Sequence, residues 1–231
     1  MEKGDTIKVI AKSFEDIGYS ITEPTILWAN NYGVPQKRNR CFIVGNRVGI
    51  KFEFPKSMGT NVTVAQAIDD LPELKSGENI VKAKYTKSIS NCSDYARIMR
   101  CNSKYATQNE VSLNNDLVIK RYTYIPQGGN WRDIPEELMG NYKDKTRCHS
   151  GIYKRLREDE PSVVISNYRK MMLIHPKQNR GLSVREAARL QSFPDDFFFE
   201  GPISHIQQQI GNAVPPLLAK AIFNQILSYY E

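Results

Sequence analysis

Apolar residues three and four positions apart put Ile7, Ile10, Phe14 and Ile17 on one face of a helix over 5–18, which Gly18 suits as a stop. Residues 19–28 are rich in Ile, Thr and Tyr and read as a strand, with Pro24 making it an edge or an interrupted one. Turn chemistry fills 30–35. Residues 40–46 (RCFIVGN) then form a short, nearly continuous apolar strand, the pattern of a sheet covered on both faces. Helix, strand, loop, strand is the order expected at the end of an α/β domain.

Beyond a connector over 47–62, TVAQAIDDLPEL (63–74) predicts a short helix capped by Thr63 and stopped at Pro72. Residues 75–180 lack long periodic segments. They are polar, carry tyrosines at 85, 95, 105, 122, 124, 142, 153 and 168, and read as a loop-rich, mostly β module. Periodicity returns in LSVREAARLQSFPDDF (182–197), where Ser183 and Glu186 have capping-box spacing and Pro194 ends the helix. A shorter helical pattern runs over 205–216. Pro215 or Pro216 opens a last helix with Leu218, Ile222 and Ile226 at four-residue spacing.

The 231 residues are 40% hydrophobic and 25% charged, as in a folded soluble protein. No apolar run nears the ~20 residues that span a bilayer, and no signal peptide is visible, so a cytoplasmic protein is expected. Cys41, Cys92, Cys101 and Cys148 show no CxxC pairing, and with three histidines no metal site is expected; reduced thiols fit better. Net charge is +7, concentrated in two blocks. Residues 81–121 carry eight basic and three acidic groups, and residues 147–180 carry the same. A basic middle between near-neutral ends marks either a polyanion-facing module or a solvated basic surface.

Period two places Gln36, Arg38 and Arg40 on one side of an extended chain. Their spacing reads two ways. Planar guanidinium forks suit phosphate or a base edge, and the same pair serves equally as surface salt bridges that need no ligand.

Three segments in order carry a resemblance. YGVPQKRNRCFIVGNR resembles the Q-x-R-x-R motif of the cytosine-5 DNA methyltransferases, LSVREAARLQSFPDDFFFEG their R-E-A-A-R-L-Q-x-F-P-D motif, and QIGNAVPPLLAKAI their G-N-A-V-P-P motif. The resemblance implies an α/β fold: the C-terminal portion of a Rossmann-like methyltransferase domain (1–58), a smaller, mostly β target-recognition domain (59–180), and helices linking the two (181–231). It implies that Arg38 and Arg40 support the catalytic pocket, with Arg40 reaching toward a flipped cytosine or its phosphate, and that Gln36 orients the loop. Asn212, Ala213 and Val214 would border S-adenosylmethionine. Ser183, Arg185, Glu186 and Arg189 would organise the small domain against the large one. The implied partner is duplex DNA, read partly by unidentified side chains in 75–180.

The family's Pro-Cys-Gln nucleophile loop, Glu-Asn-Val motif and Phe-x-Gly-x-Gly turn do not occur in these residues. GENI (77–80) imitates the second out of order, so Glu78 reads as a solvated loop residue. The expectation is a back half, inactive alone, whose thiol comes from a complementary N-terminal half or subunit. An exposed sheet edge would bind that partner or cause self-association. The alternative is a non-catalytic DNA-binding specificity or regulatory module; an RNA methyltransferase of similar fold fits less well.

Overall fold

A computed structural model describes residues 5–101, 103–140, 151–166, 168, 170 and 172–230. Tyr142 and Cys148, singled out above, lie outside them. The chain opens with α1 (Asp5–Glu15) and four short strands, β1 (Ser20–Ile21), β2 (Thr25–Trp28), β3 (Asn39–Phe42) and β4 (Gly45–Asn46). Then come α2 (Val64–Ile68), β5 (Asn79–Ala83), α3 (Asp94–Arg100), β6 (Ala106–Glu110) and α4 (Asp116–Thr123). Helices α5 (Val184–Leu190), α6 (Ile203–Asn212) and α7 (Pro216–Leu227) close it. No helix among the described residues is long and apolar enough to cross a membrane.

The strands pair antiparallel, β1 with β4, β2 with β3 and β5 with β6. The β2–β3 ladder sets Leu27 opposite Arg40 and Trp28 opposite Asn39. Leu27 packs with Ala29, Tyr32 and Val34 against Leu218 and Ile222 of α7, while Ile26 and Trp28 stay 61% and 47% exposed. The strand expected over 40–46 breaks into β3 and β4, which pair with different partners, and β3 is covered on one face, not two, because α7 packs on one side of its hairpin with β2 only. Ile7, Ile10, Phe14 and Ile17 are likewise exposed.

A second core joins Val64, Ala67, Ile68 and Leu71 to Tyr95, Met99 and Ala106, to Leu156 and Ile165, and to α5 and α6 through Leu190 and Ile210. A third gathers Tyr122, Tyr153, Met139 and Ile174. The expected mostly β module over 59–180 is corrected here. Among its described residues α2, α3 and α4 outweigh the single β5–β6 hairpin. These helices span little more than two turns at most, too short for a periodic signal to stand out. The caps of α2 and α5 were legible: Thr63 with Gln66 and Ser183 with Glu186 both form reciprocal capping boxes.

Candidate functional site

Two helix ends create the site's geometry. The last four carbonyls of a helix have no partner within it. After α5, the residue four beyond Leu190 is Pro194, and four beyond Gly211 at the end of α6 is Pro215. Neither has an N–H to give. Side chains from the loop before β3 fill both vacancies. Gln36 Nε2 donates to Leu190 O (3.2 Å), and Arg38 Nη2 donates to Gly211 O (2.7 Å). Gln191 completes the junction: its Oε1 accepts from Gln36 Nε2 (2.9 Å) and its Nε2 donates to Ile210 O (2.6 Å).

The same loop is zipped to the strand-like stretch near 162. Lys37 N donates to Ser162 O (2.8 Å) and Ser162 N to Pro35 O (2.9 Å). Gln36 Oε1 accepts from Ile165 N (2.9 Å), and Arg38 Nη1 donates to Ile165 O (2.8 Å). Gln36, Arg38 and Gln191 are buried. Gly211 has no room for a side chain, since a Cβ there would lie 2.1 Å from Ser166 O.

Alternation along 36–39 follows the expected period of two, with Gln36 and Arg38 inward and Lys37 and Asn39 exposed. The two arginines then part. Arg38 forms neither of the arrangements its spacing offered, surface ion pair or outward ligand fork; its short bonds go to backbone carbonyls, with a longer one to Gln36 Oε1 (3.5 Å). Arg40 is only partly buried, and its guanidinium bonds Asn39 O (3.0 Å) at the surface. Partial desolvation lowers the Arg40 pKa.

Beside Gly211 the chain turns outward. Asn212 and Val214 are exposed and Ala213 is half-buried. Cα positions 212–214 thus form an open wall, with the Asn212 amide unpaired among the described residues.

The α5 motif residues bond within the second core rather than across to the first. Ser183 and Glu186 cap α5, and Arg180 grips both Glu186 oxygens at 2.8 and 2.6 Å. Burial opposes the Glu186 charge, but Arg180 outweighs it and holds the carboxyl down at about 2. His175 Nε2 lies 3.7 Å from Glu186 Oε1, while its Nδ1 accepts from the backbone of Lys177 and Gln178. Burial pushes His175 down to about 4, so it is neutral at pH 7. Arg189 is fully buried and binds Asp195 (2.6 and 2.7 Å), Asp70 (3.0 Å) and Ala67 O (2.9 Å). Arg100 also reaches Asp70 (2.7 Å), and Tyr85 donates to Asp195 (2.5 Å). Arg185 donates to the carbonyls of Thr107, Pro194 and Phe197.

Buried arginines also revise the basic blocks. Arg100, Arg121, Arg155 and Arg180 are internal. Arg155 alone donates to Ile125 O, His175 O, Gln178 O and Tyr122 O. The charge left facing solvent is largely lysine: Lys82, Lys84, Lys104 and Lys120 are exposed. Glu78 is half-buried and accepts from Lys75 N (2.6 Å), closing a local turn. Cys41 and Cys101 are exposed and Cys92 is buried.

Sequence reasoning passed over Gln191, Asp70 and Ile165. The prolines four residues after Leu190 and Gly211 announce the orphan carbonyls that Gln36 and Arg38 meet, but no such mark points to Gln191, whose acceptor is Ile210 O.

Comparison with known proteins places this geometry. The family model for C-5 cytosine-specific DNA methylase matches residues 1–228. The type II methyltransferase M1.HphI of Haemophilus parahaemolyticus is 35% identical over 225 residues, covering 97% of this chain and 52% of that protein. M.Eco47II of Escherichia coli is 33% identical over 237 residues, covering 98% and 50%. The chain thus spans about half the length of these relatives. In fold it resembles a prophage-encoded protein (E. coli) described as a DNA modification methyltransferase, with TM-score 0.76 and 23% identity over 100% of this chain and 67% of that one. The methyl donor of such enzymes is S-adenosylmethionine. The family model spans nearly the whole of these residues, and the chain belongs to the C-5 cytosine-specific DNA methylase family.

Proposed function

We propose that this chain is the DNA-recognition and cofactor-closing part of a DNA (cytosine-5)-methyltransferase acting on duplex DNA. The observation that carries the reading is the junction of three motifs: Gln36 and Arg38 bond the helix ends at Leu190 and Gly211, beside the outward turn at 212–214. Bound there, S-adenosylmethionine supplies an electrophilic methyl group. This chain supplies the wall formed by Asn212, Ala213 and Val214, and the Asn212 amide bonds the ligand. Gln36 and Arg38 hold that wall in register. Arg40, the guanidinium left at the surface, faces the flipped cytosine or its phosphate. Ser183, Arg185, Glu186 and Arg189 stiffen the recognition part, and exposed lysines such as Lys82, Lys84, Lys104 and Lys120 contact phosphates.

None of the four cysteines follows a proline. On this reading the attacking thiolate and the partnering glutamate come from polypeptide outside these 231 residues, whether contiguous with them or a separate subunit. That polypeptide covers the apolar side chains left open on α1 and on the outer face of β2. Division into 1–58, 59–180 and 181–231 matches these tasks, with α7 returning to the first core.

The test mixes the chain with a polypeptide bearing the Pro-Cys-Gln and Glu-Asn-Val segments, labelled cofactor and duplex DNA. Methyl transfer in the mixture and in neither part alone is expected. Sequence-specific DNA binding that no such polypeptide converts into methyl transfer refutes the enzyme reading and leaves a non-catalytic DNA-binding module.

A further inference from the structure

We propose that Gln191 is a positioning residue for the outward turn at 212–214, acting as an amide relay between the Gln36 loop and the end of α6. The assignment deepens the function proposed above and rests on it only for what the turn contacts.

A carboxamide suits this place because it accepts at one atom and donates at the other. Gln191 does both in a fully buried setting: Oε1 takes the Gln36 proton at 2.9 Å and Nε2 gives to Ile210 O at 2.6 Å. Ile210 O and Gly211 O are adjacent carbonyls of one helix end, so Gln191 and Arg38 hold that end from two sides. The residue after Gln191 strengthens the case. Ser192 takes a left-handed conformation (φ 64°), and its Oγ accepts from Leu217 N (3.1 Å) in the first turn of α7. The two-residue exit of α5 therefore fixes the chain just before and just after the turn that carries Asn212.

The two bonds separate experimentally. Gln191→Met keeps similar bulk and loses both. Gln191→Glu keeps the acceptor for Gln36, but it donates to Ile210 O only while protonated. Burial opposite a carbonyl raises that carboxyl's pKa above its unfolded value. The bond is then present at low pH and lost as pH rises through the raised value.

The readout is amide hydrogen exchange of the intact chain at Ala213, whose N–H is held by Gln209 O (3.1 Å) and Ile210 O (3.4 Å), and at Leu217. Amides of Ala67 and Ala187, bonded to Thr63 O and Ser183 O in α2 and α5, serve as reference. Protection is expressed relative to wild type at each pH. Gln191→Met should lose roughly tenfold protection at 213 and 217 at every pH, as expected when a buried carbonyl loses its short donor and keeps only the long bond from Ala213 N. Gln191→Glu should match wild type near pH 5 and fall to the Met variant's level near pH 8.

A Glu variant that stays as protected as wild type at both pH values overturns the relay. Equal loss at the reference amides overturns it too, because Gln191 would then be ordinary core. Cofactor affinity of the complemented enzyme is a separate readout. If exchange behaves as expected and the Met variant binds cofactor normally, the relay stands and the assignment of 212–214 to the cofactor fails.

Discussion

Gly211→Ala sets two effects of opposite sign against each other at one atom. Alanine in a helix interior is favoured over glycine by about 1 kcal/mol, so propensity alone predicts a gain. Gly211 does not have a positive φ, so no backbone conformation is at stake. Space is the issue. A Cβ would stand 2.1 Å from Ser166 O and 2.6 Å from Ser166 C, and both are backbone atoms that no rotamer change can move. Relief needs a displacement of more than about 1 Å between α6 and the 164–166 stretch, to reach ordinary contact at roughly 3.5 Å. The same displacement carries Gly211 O and Ile210 O away from Arg38 and Gln191, whose bonds are now 2.7 and 2.6 Å. Stretched by that much they pass the limit of useful hydrogen bonding, and each buried unpaired acceptor costs about 1–3 kcal/mol. After the propensity gain the net is about 1–5 kcal/mol of destabilisation. Urea unfolding of the chain should show a midpoint lower by roughly 1 M, given slopes of about 1–3 kcal/mol per M. An unchanged or higher midpoint would mean that the junction yields without losing its bonds, and the reasoning fails.

Arg38→Lys should destabilise by about 2–4 kcal/mol despite the kept charge, because one ammonium cannot take the place of a planar fork that reaches Ile165 O and Gly211 O together; thermal melting checks it, and a melt equal to wild type counts against the fork. Arg40→Ala, with one surface bond lost, should alter stability by less than about 0.5 kcal/mol, yet abolish methyl transfer in the complemented enzyme with DNA binding largely kept. Equal loss of binding and catalysis would make Arg40 an ordinary phosphate contact. Asn212→Ala should weaken cofactor binding in that enzyme and leave the melt unchanged, since its side chain is exposed. His175 has its folded pKa near 4, below its usual 6.5, so the unfolded chain binds the proton more readily. Its contribution is complete above about 6.5 and is lost as pH falls toward 4, by no more than about 3 kcal/mol. In His175→Asn, which keeps an acceptor for Lys177 N and Gln178 N, the slope of stability between pH 6.5 and 4 should flatten; an unaltered slope assigns it elsewhere.

Local rules in the sequence reached the elements they govern. Thr63 and Ser183 announced their helices through short-range capping chemistry, and Pro216 opened α7 with Leu218 and Ile222 facing the core. Alternation sorted Gln36 and Arg38 from Lys37 and Asn39. What escaped was the destination of the inward groups. A guanidinium twinned with another at period two reads as a ligand site or a surface ion pair, whereas Arg38 meets carbonyls 127 and 173 residues along the chain. Charge counting failed for the same reason at Arg121 and Arg155, whose acceptors include loop carbonyls that no pattern marks. The module over 59–180 looked β-rich because tyrosines and short, uneven segments mask helices such as α3 and α4. The resemblance singled out three segments, and that Gln36 and Arg38 bond the helix ends at Leu190 and Gly211 emerged only with the geometry.

The junction of the loop before β3 with the ends of α5 and α6 has one further consequence, for handling the protein. Its inner contacts run from Gln36, Arg38 and Gln191 to sequestered carbonyl dipoles, with the Lys37–Glu160 ion pair confined to the exposed rim. Mobile ions screen charges that meet water and leave such sequestered dipoles alone. Molar sodium chloride should therefore weaken the rim ion pair and leave the bonds of the junction in place.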